Sequence, residues 1–95
     1  MKIYVRFYRK FTYSSYATLM FDIDPENLVI DLKRFIFARL RIEPKFQQLQ
    51  VNFHGKQETM NDECSLSFYN VKEGSHIFLE NLNEKQNESE VRIVK

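Results

Sequence analysis

The hydrophobic period of this chain changes within its first 40 residues, and that change limits the folds available to it. In residues 1–8 and again in 18–23, apolar side chains alternate with more polar ones, which predicts two strands that each bury one face. Residues 28–40 carry apolar side chains at helical spacing instead, and Asn27 stands at the expected N-cap. The helical stripe consists of Val29, Leu32, Ile36 and Leu40. The predicted start of the fold is therefore a hairpin followed by a helix that lies on it.

The second half of the sequence supplies two more strands. Pro44 predicts the end of the helical region. The elements predicted after it are a strand at residues 49–53, a tight turn at His54-Gly55, a polar connection at 57–65, a short helical turn at 66–69 and a strand at 75–79. This order is that of a β-grasp fold, an α+β arrangement in which one helix crosses a mixed sheet of four to five strands. Residues 1–82 are predicted to form this domain, and residues 83–95 a polar tail with too few apolar side chains to fold.

Composition argues against catalysis and against a bound metal. The 95 residues include one cysteine and two histidines, so neither an internal disulfide nor a metal-ligand set is expected. Cys64 has no nearby base that would favour a thiolate, and no acidic pair lies in an apolar setting suited to acid–base catalysis. We therefore expect no enzymatic activity, no catalytic residue and no cofactor. No apolar run reaches the roughly 18 residues of a membrane span, so the cytoplasm or nucleus is the default location, and an organellar complex stays open.

Several short motifs occur in the order found in one known family. They are Met1-Lys2-Ile3-Tyr4-Val5, Ile23-Asp24-Pro25, Leu32-Lys33, Phe53-His54-Gly55-Lys56-Gln57, Leu66-Ser67 and Tyr69-Asn70-Val71. Through them, residues 1 to about 80 resemble the ubiquitin-like domains. The resemblance implies a β-grasp fold in which the hydroxyl of Tyr69 ties a loop together. The chain closes on Val91-Arg92-Ile93-Val94-Lys95 without a diglycine, so the resemblance implies a binding module rather than a conjugated modifier.

The main recognition surface of ubiquitin is an apolar patch on the outer face of its sheet. The two aliphatic positions at its centre correspond to Asn52 and Glu80 here, and a partner that expects aliphatic groups would have to desolvate an amide and a carboxylate. Standard ubiquitin receptors are therefore expected to bind poorly. Phe78 is predicted to remain on that face beside Tyr4, which leaves an altered patch.

Apolar side chains are also expected on other faces of the domain. Ile30 and Phe37 are two helical turns apart, on the helix face that ubiquitin-like folds leave polar. Arg34 and Arg41 would form a charged rim around them. The alternative is that the segment before the helix folds back over these two side chains. The remaining predicted protein contacts are Phe68 and, from the long hairpin connection, Tyr8, Phe11 and Tyr13. The hairpin aromatics either pair across the strands of an extended hairpin or dock onto a partner protein.

Together these features predict a non-catalytic ubiquitin-like protein–protein interaction module, a small subunit of a larger hetero-assembly with other proteins. One alternative is a divergent ubiquitin-like modifier, or an adaptor that engages ubiquitin-pathway receptors. A second alternative is the binding of single-stranded RNA, because the hairpin aromatics are interleaved with basic residues. The net charge of +1 argues against nucleic acid as the partner.

Overall fold

One α-helix crosses a five-stranded mixed sheet in the computed structural model, which describes residues 1–9 and 15–82. The elements are β1 (Lys2–Arg9), β2 (Ser15–Asp22), α1 (Val29–Leu40), β3 (Gln47–Phe53), β4 (Lys56–Thr59) and β5 (His76–Asn81). Short 3₁₀ helices lie at Pro44–Phe46 and Ser67–Tyr69. The sheet order is β2-β1-β5-β3-β4, in which β1 and β5 are parallel and every other pair is antiparallel. This is a β-grasp-like α+β arrangement, which confirms the predicted fold class.

The period-2 alternation determines which face of the sheet meets α1. Odd-numbered residues of β1, β3 and β5 point toward the helix, and even-numbered residues point away from it and form the outer face. The buried side chains between the two layers are Ile3, Val5, Leu49, Val51, Ile77 and Leu79 from the sheet and Val29, Leu32 and Ile36 from the helix. Burying each such side chain contributes about 1.5–3 kcal/mol, so this single core carries most of the stability of the domain.

Two strand predictions differ from the structure. β4 (Lys56–Thr59) occupies the start of residues 57–65, which the sequence predicts as a polar connection. All four of its side chains are exposed, so it lacks the apolar alternation that reveals a strand. β2 begins at Ser15, ahead of the predicted start at residue 18. The longer β2 brings Tyr16 into the sheet, where it pairs with Tyr8.

The N-terminus of α1 is capped by a different residue from the one predicted. Leu28, rather than Asn27, is the N-cap. The carboxylate of Asp31 accepts a hydrogen bond from the Leu28 N–H at 2.9 Å and another from the Asn27 side-chain amide at 3.2 Å. Asp31 therefore takes over the capping that the sequence assigned to Asn27, because a carboxylate in the first turn can bond back to the preceding backbone.

Acid unfolding should report on this cap. Hydrogen bonds from Leu28 and Asn27 lower the pKa of Asp31 below its ordinary value of 3.8, and the charge of Arg34 lowers it further. The carboxylate therefore adds stability above its unfolded-state pKa, and this stability is lost as the pH falls through the folded-state pKa. We expect urea midpoints of Asp31→Asn to fall less steeply with acid than those of the wild type.

The control for this experiment is Glu26→Gln, which removes a neighbouring exposed carboxylate outside the cap. Its urea midpoints should keep the wild-type dependence on pH. An acid dependence of Asp31→Asn that matches the wild type would show that Asp31 does not stabilise the helix through its charge.

The C-terminus of α1 is also set by backbone geometry rather than by the predicted proline. The helix ends at Leu40, because Arg41 adopts a left-handed backbone with φ of 62°, and Pro44 begins the first 3₁₀ helix instead. His54 and Asn70 are two further residues with a side chain and positive φ, at 53° and 62°. Glycine is usual in such positions, since it has no Cβ to clash with the carbonyl.

Tyr69 holds the loop that follows β4, as the resemblance implied. Its ring is 5% exposed, and its hydroxyl oxygen accepts a hydrogen bond from the Asn61 N–H at 2.8 Å. Burial raises the pKa of Tyr69. The phenol thus satisfies a backbone donor that the fold would otherwise leave unpaired.

We expect Tyr69→Phe to lower the free energy of unfolding by about 1–2 kcal/mol, because the Asn61 N–H loses its acceptor. Chemical denaturation followed by circular dichroism would measure this loss. The matched control is Tyr4→Phe, which removes a hydroxyl from the outer face and should change stability by less than about 0.5 kcal/mol. Equal effects of the two substitutions would contradict the assigned role of Tyr69.

Two polar side chains are buried between α1 and the sheet. The ammonium of Lys33 lies 2.7 Å from the carboxylate of Asp62. The Gln47 side-chain amide donates to the backbone carbonyls of Lys33 and Ile42, both at 2.8 Å. Gln47 therefore ties the start of β3 both to the helix and to the segment that leaves it.

No helix within residues 1–9 and 15–82 is long and apolar enough to cross a membrane. The predicted polar tail at 83–95 lies outside the described residues.

Candidate protein-interaction surface

Even-numbered residues of β1, β2 and β5 bring three aromatic side chains together on the outer face of the sheet. We call Tyr8, Tyr16 and Phe78 the outer aromatic cluster. The Tyr16 ring is its centre, with ring centroids 5.1 Å from Tyr8 and 6.0 Å from Phe78. The cluster forms because β1 lies between β2 and β5, so the outward side chains of all three strands share one surface.

Much of this surface is accessible to a partner. Tyr16 is 53% exposed and Tyr8 is 40% exposed, and Met20, farther along β2 on the same face, is 46% exposed. Tyr4 and Phe78 are half-buried. Exposed aromatic rings in a contiguous patch are typical of protein-interaction sites, because such rings bury a large area with few rotatable bonds.

The sequence prediction for the positions of Tyr4 and Phe78 needs one correction. Both lie on the outer face, but the cross-strand neighbour of Phe78 is Arg6, and that of Tyr4 is His76. The rings of Tyr4 and His76 stack with centroids 5.3 Å apart. Tyr4 therefore lies beside His76, two residues along β1 from the position opposite Phe78.

Arg6 is the cation among the aromatic rings of this face, and Lys2 lies farther along β1, opposite Asp22. Its guanidinium lies over the Tyr16 ring, 4.8 Å from the centroid. Stacking of this kind restricts the side chain while leaving the edges of the guanidinium available for hydrogen bonds.

Side-chain amides continue the outer face beyond the aromatic cluster. The Gln57 amide donates to the Gln50 carbonyl at 2.9 Å, and the Gln50 amide donates to the Thr59 hydroxyl at 3.4 Å. Asn52 is exposed and Glu80 is half-buried, in the positions that the sequence compared with ubiquitin's apolar patch. The half of the face formed by β3 and β4 is therefore rich in amides.

The residues predicted on the helix lie on a separate surface. Ile30 and Phe37 are half-buried, and the ring exposed on α1 is that of Phe35, at 43%. The Arg41 guanidinium lies over the Phe37 ring at 5.6 Å, and Arg34 pairs with Asp31 at 3.5 Å. Arg41 thus covers part of Phe37, and α1 offers a smaller apolar area than its sequence predicts.

Phe68 forms a third and separate aromatic group. It is 58% exposed and contacts Tyr69 edge to face, with centroids 5.0 Å apart. The Phe53 ring lies 6.1 Å away. Phe11 and Tyr13 lie outside the described residues. Of the predicted contact residues, the structure brings together Tyr8 and Phe78 through the Tyr16 ring, and Tyr4 lies on the same face beside His76.

Sequence reasoning missed two central residues of the outer face, Tyr16 and His76. The strand predicted at residues 18–23 leaves Tyr16 out, although the alternation of Tyr16, Thr18 and Met20 with Ala17 and Leu19 extends to it. His76 falls in the strand predicted at 75–79, with no sign in the sequence of the ring it contacts. Its stack with Tyr4 depends on the parallel pairing of β1 with β5, for which the sequence carries no local signal.

In residues 1–9 and 15–82, no group of three histidine, cysteine or acidic side chains is arranged to hold a metal ion. Cys64 is a free, half-buried cysteine. No protein-family model matches the chain, and no curated protein is significantly similar to it.

Proposed function

We propose that this protein is a non-catalytic, ubiquitin-like protein–protein interaction module that acts as a small subunit of a larger assembly. The outer aromatic cluster is its main contact surface. The observation that carries the proposal is the exposure of the cross-strand pair Tyr8 and Tyr16 on the outer face of the sheet, with Met20 exposed farther along β2, opposite Tyr4. A partner that covers these side chains removes a large apolar area from water without reorganising the backbone.

The charges and ring positions around the cluster also favour a protein partner. Single-stranded nucleic acid is bound by several cations that follow its backbone. Arg6 is the cation stacked within this cluster, and Asp22 and Glu80 are carboxylates on the same face. Aromatic side chains beside a single arginine match the composition of protein-interface anchors instead.

The test is to tag the full chain, purify it under native conditions from the cells that express it, and measure the mass of the complexes that contain it. We expect complexes well above the 11.5 kDa of the single chain. The double variant Tyr8→Thr/Tyr16→Thr removes two anchors while keeping residues that favour strands, and it should weaken partner binding by at least about thirtyfold.

Phe68→Ser is the matched control, since it removes a similarly exposed ring from another surface. It should retain the same complexes. Thermal unfolding of both variants would separate loss of binding from loss of the fold. A wild-type chain that runs as a free monomer in its own cells would contradict the proposal, as would complexes that are unaffected by the tyrosine variant.

A further inference from the structure

An open cleft of about 470 Å³ lies on the outer face, between the aromatic cluster and the amides. Phe78 and Arg6 line one side of it, and Gln50, Asn52 and Gln57 line the other. No lining residue is acidic. His76 also lines the cleft, and Arg6 is the one lining side chain that is permanently charged.

The guanidinium of Arg6 is held in place but is not neutralised within the described ranges 1–9 and 15–82. Its contact there is the Tyr16 ring, and Asp22, Asp31, Asp62 and Glu43 pair with other cations. Stacking on a ring orients the guanidinium plane, so less freedom is lost when a ligand binds its edge. Such an edge suits a carboxylate, which can accept two parallel hydrogen bonds.

The opposite side of the cleft suits a polypeptide backbone. The Gln57 amide uses its nitrogen on the Gln50 carbonyl, which leaves the Gln57 carbonyl as an acceptor. The exposed Asn52 amide adds both donors and an acceptor. Phe78 provides an apolar contact between these amides and the arginine.

We propose that this cleft binds a partner protein segment that carries a carboxylate next to an apolar side chain. Arg6 receives the carboxylate, Phe78 contacts the apolar side chain, and the amides of Asn52 and Gln57 bond to the segment's backbone. This inference rests on the proposed function, because it names the chemistry of the partner at the same surface. A phosphate of a nucleic acid is the competing anion, but one lining arginine matches one carboxylate better than a phosphate chain.

The first arm of the test is a selection from a random nonapeptide phage library with the purified full chain. We expect enriched peptides to carry aspartate or glutamate next to an aliphatic or aromatic residue. The same selection with Arg6→Gln should lose the acidic preference. Enrichment of peptides without an acidic residue by the wild-type chain would overturn the inference.

The second arm measures the affinity of a selected acidic peptide by fluorescence anisotropy. Arg6→Gln should weaken binding by about tenfold to a hundredfold, because a charge-assisted pair is lost. Arg6→Lys keeps the charge but cannot donate two parallel hydrogen bonds, so its affinity should lie between those of the wild type and Arg6→Gln. Lys45→Gln, which removes an exposed cation from the first 3₁₀ helix, should bind like the wild type. Thermal unfolding of each variant would verify that the sheet is intact.

The outcomes separate this inference from the proposed function. If native complexes depend on Tyr8 and Tyr16 but bind equally well with Arg6→Gln, the interaction module stands and the carboxylate site is wrong. If no native complex forms and no peptide is enriched, both are wrong. Salt-dependent binding of a 15-residue oligouridylate that requires Arg6, and exceeds peptide binding, would replace the carboxylate with a phosphate.

Discussion

Replacing Gln47 by alanine is expected to lower the free energy of unfolding by about 2–4 kcal/mol. The side chain is 3% exposed, and its amide donates to the carbonyls of Lys33 and Ile42. Alanine leaves both carbonyls without this donor and opens a cavity in the space of the lost side chain. Urea unfolding followed by circular dichroism would measure the change.

Two further variants assign the cause of this loss. Gln47→Leu refills the cavity but restores neither hydrogen bond, so it should remain less stable than the wild type by about 1–3 kcal/mol. Gln48→Ala removes the neighbouring glutamine, whose amide bonds to Thr59 on the exposed outer face, and should cost less than about 0.5 kcal/mol. Wild-type stability in Gln47→Leu would show that volume alone matters at this position.

Replacing Asp62 by alanine is the second large effect, and we expect it to cost about 1–3 kcal/mol. Its carboxylate lies 2.7 Å from the Lys33 ammonium, whose side chain is 9% exposed. Removing the partner of a buried charge is costly, because the charge cannot regain its full hydration. The effect should be smaller than for a fully buried pair, since the Asp62 side chain is 48% exposed and water screens it.

A double-mutant cycle isolates this ion pair. Lys33→Met keeps the apolar stem and removes the charge, so Asp62→Ala should cost almost nothing in that background. The coupling should persist in moderate salt, because the buried end of the pair is shielded from counterions. Equal costs of Asp62→Ala in both backgrounds would show that the ion pair does not stabilise the fold.

The sequence predicts the elements whose burial pattern is strong and misses those without one. Apolar side chains alternate clearly in the first strand and recur at helical spacing in α1. Ile3, Val5, Leu32 and Ile36 are therefore assigned to the core correctly. β4 escapes notice because an edge strand with four exposed side chains looks like a loop. The predicted helix bounds, 28–40, agree with α1 to within one residue, but the capping by the Asp31 carboxylate and the left-handed backbone of Arg41 are described poorly by residue preferences.

The outer face could be predicted only in part. Period-2 alternation places Tyr4, Tyr8 and Phe78 on one side of the sheet, and the structure agrees. Their neighbours depend on which strands pair and in which register, and that is a property of the whole chain. The stacks of Arg6 on Tyr16 and of His76 on Tyr4 therefore emerge only once β1 lies between β2 and β5.

The left-handed backbone at Arg41 leaves this domain a way to gain stability by a single substitution. Glycine there would raise stability by about 0.5–1 kcal/mol, after its greater freedom in the unfolded chain is subtracted. One such exchange offsets the cost of a typical single substitution elsewhere. Selection could therefore alter the binding face residue by residue, toward a new partner, without first losing the fold that displays it.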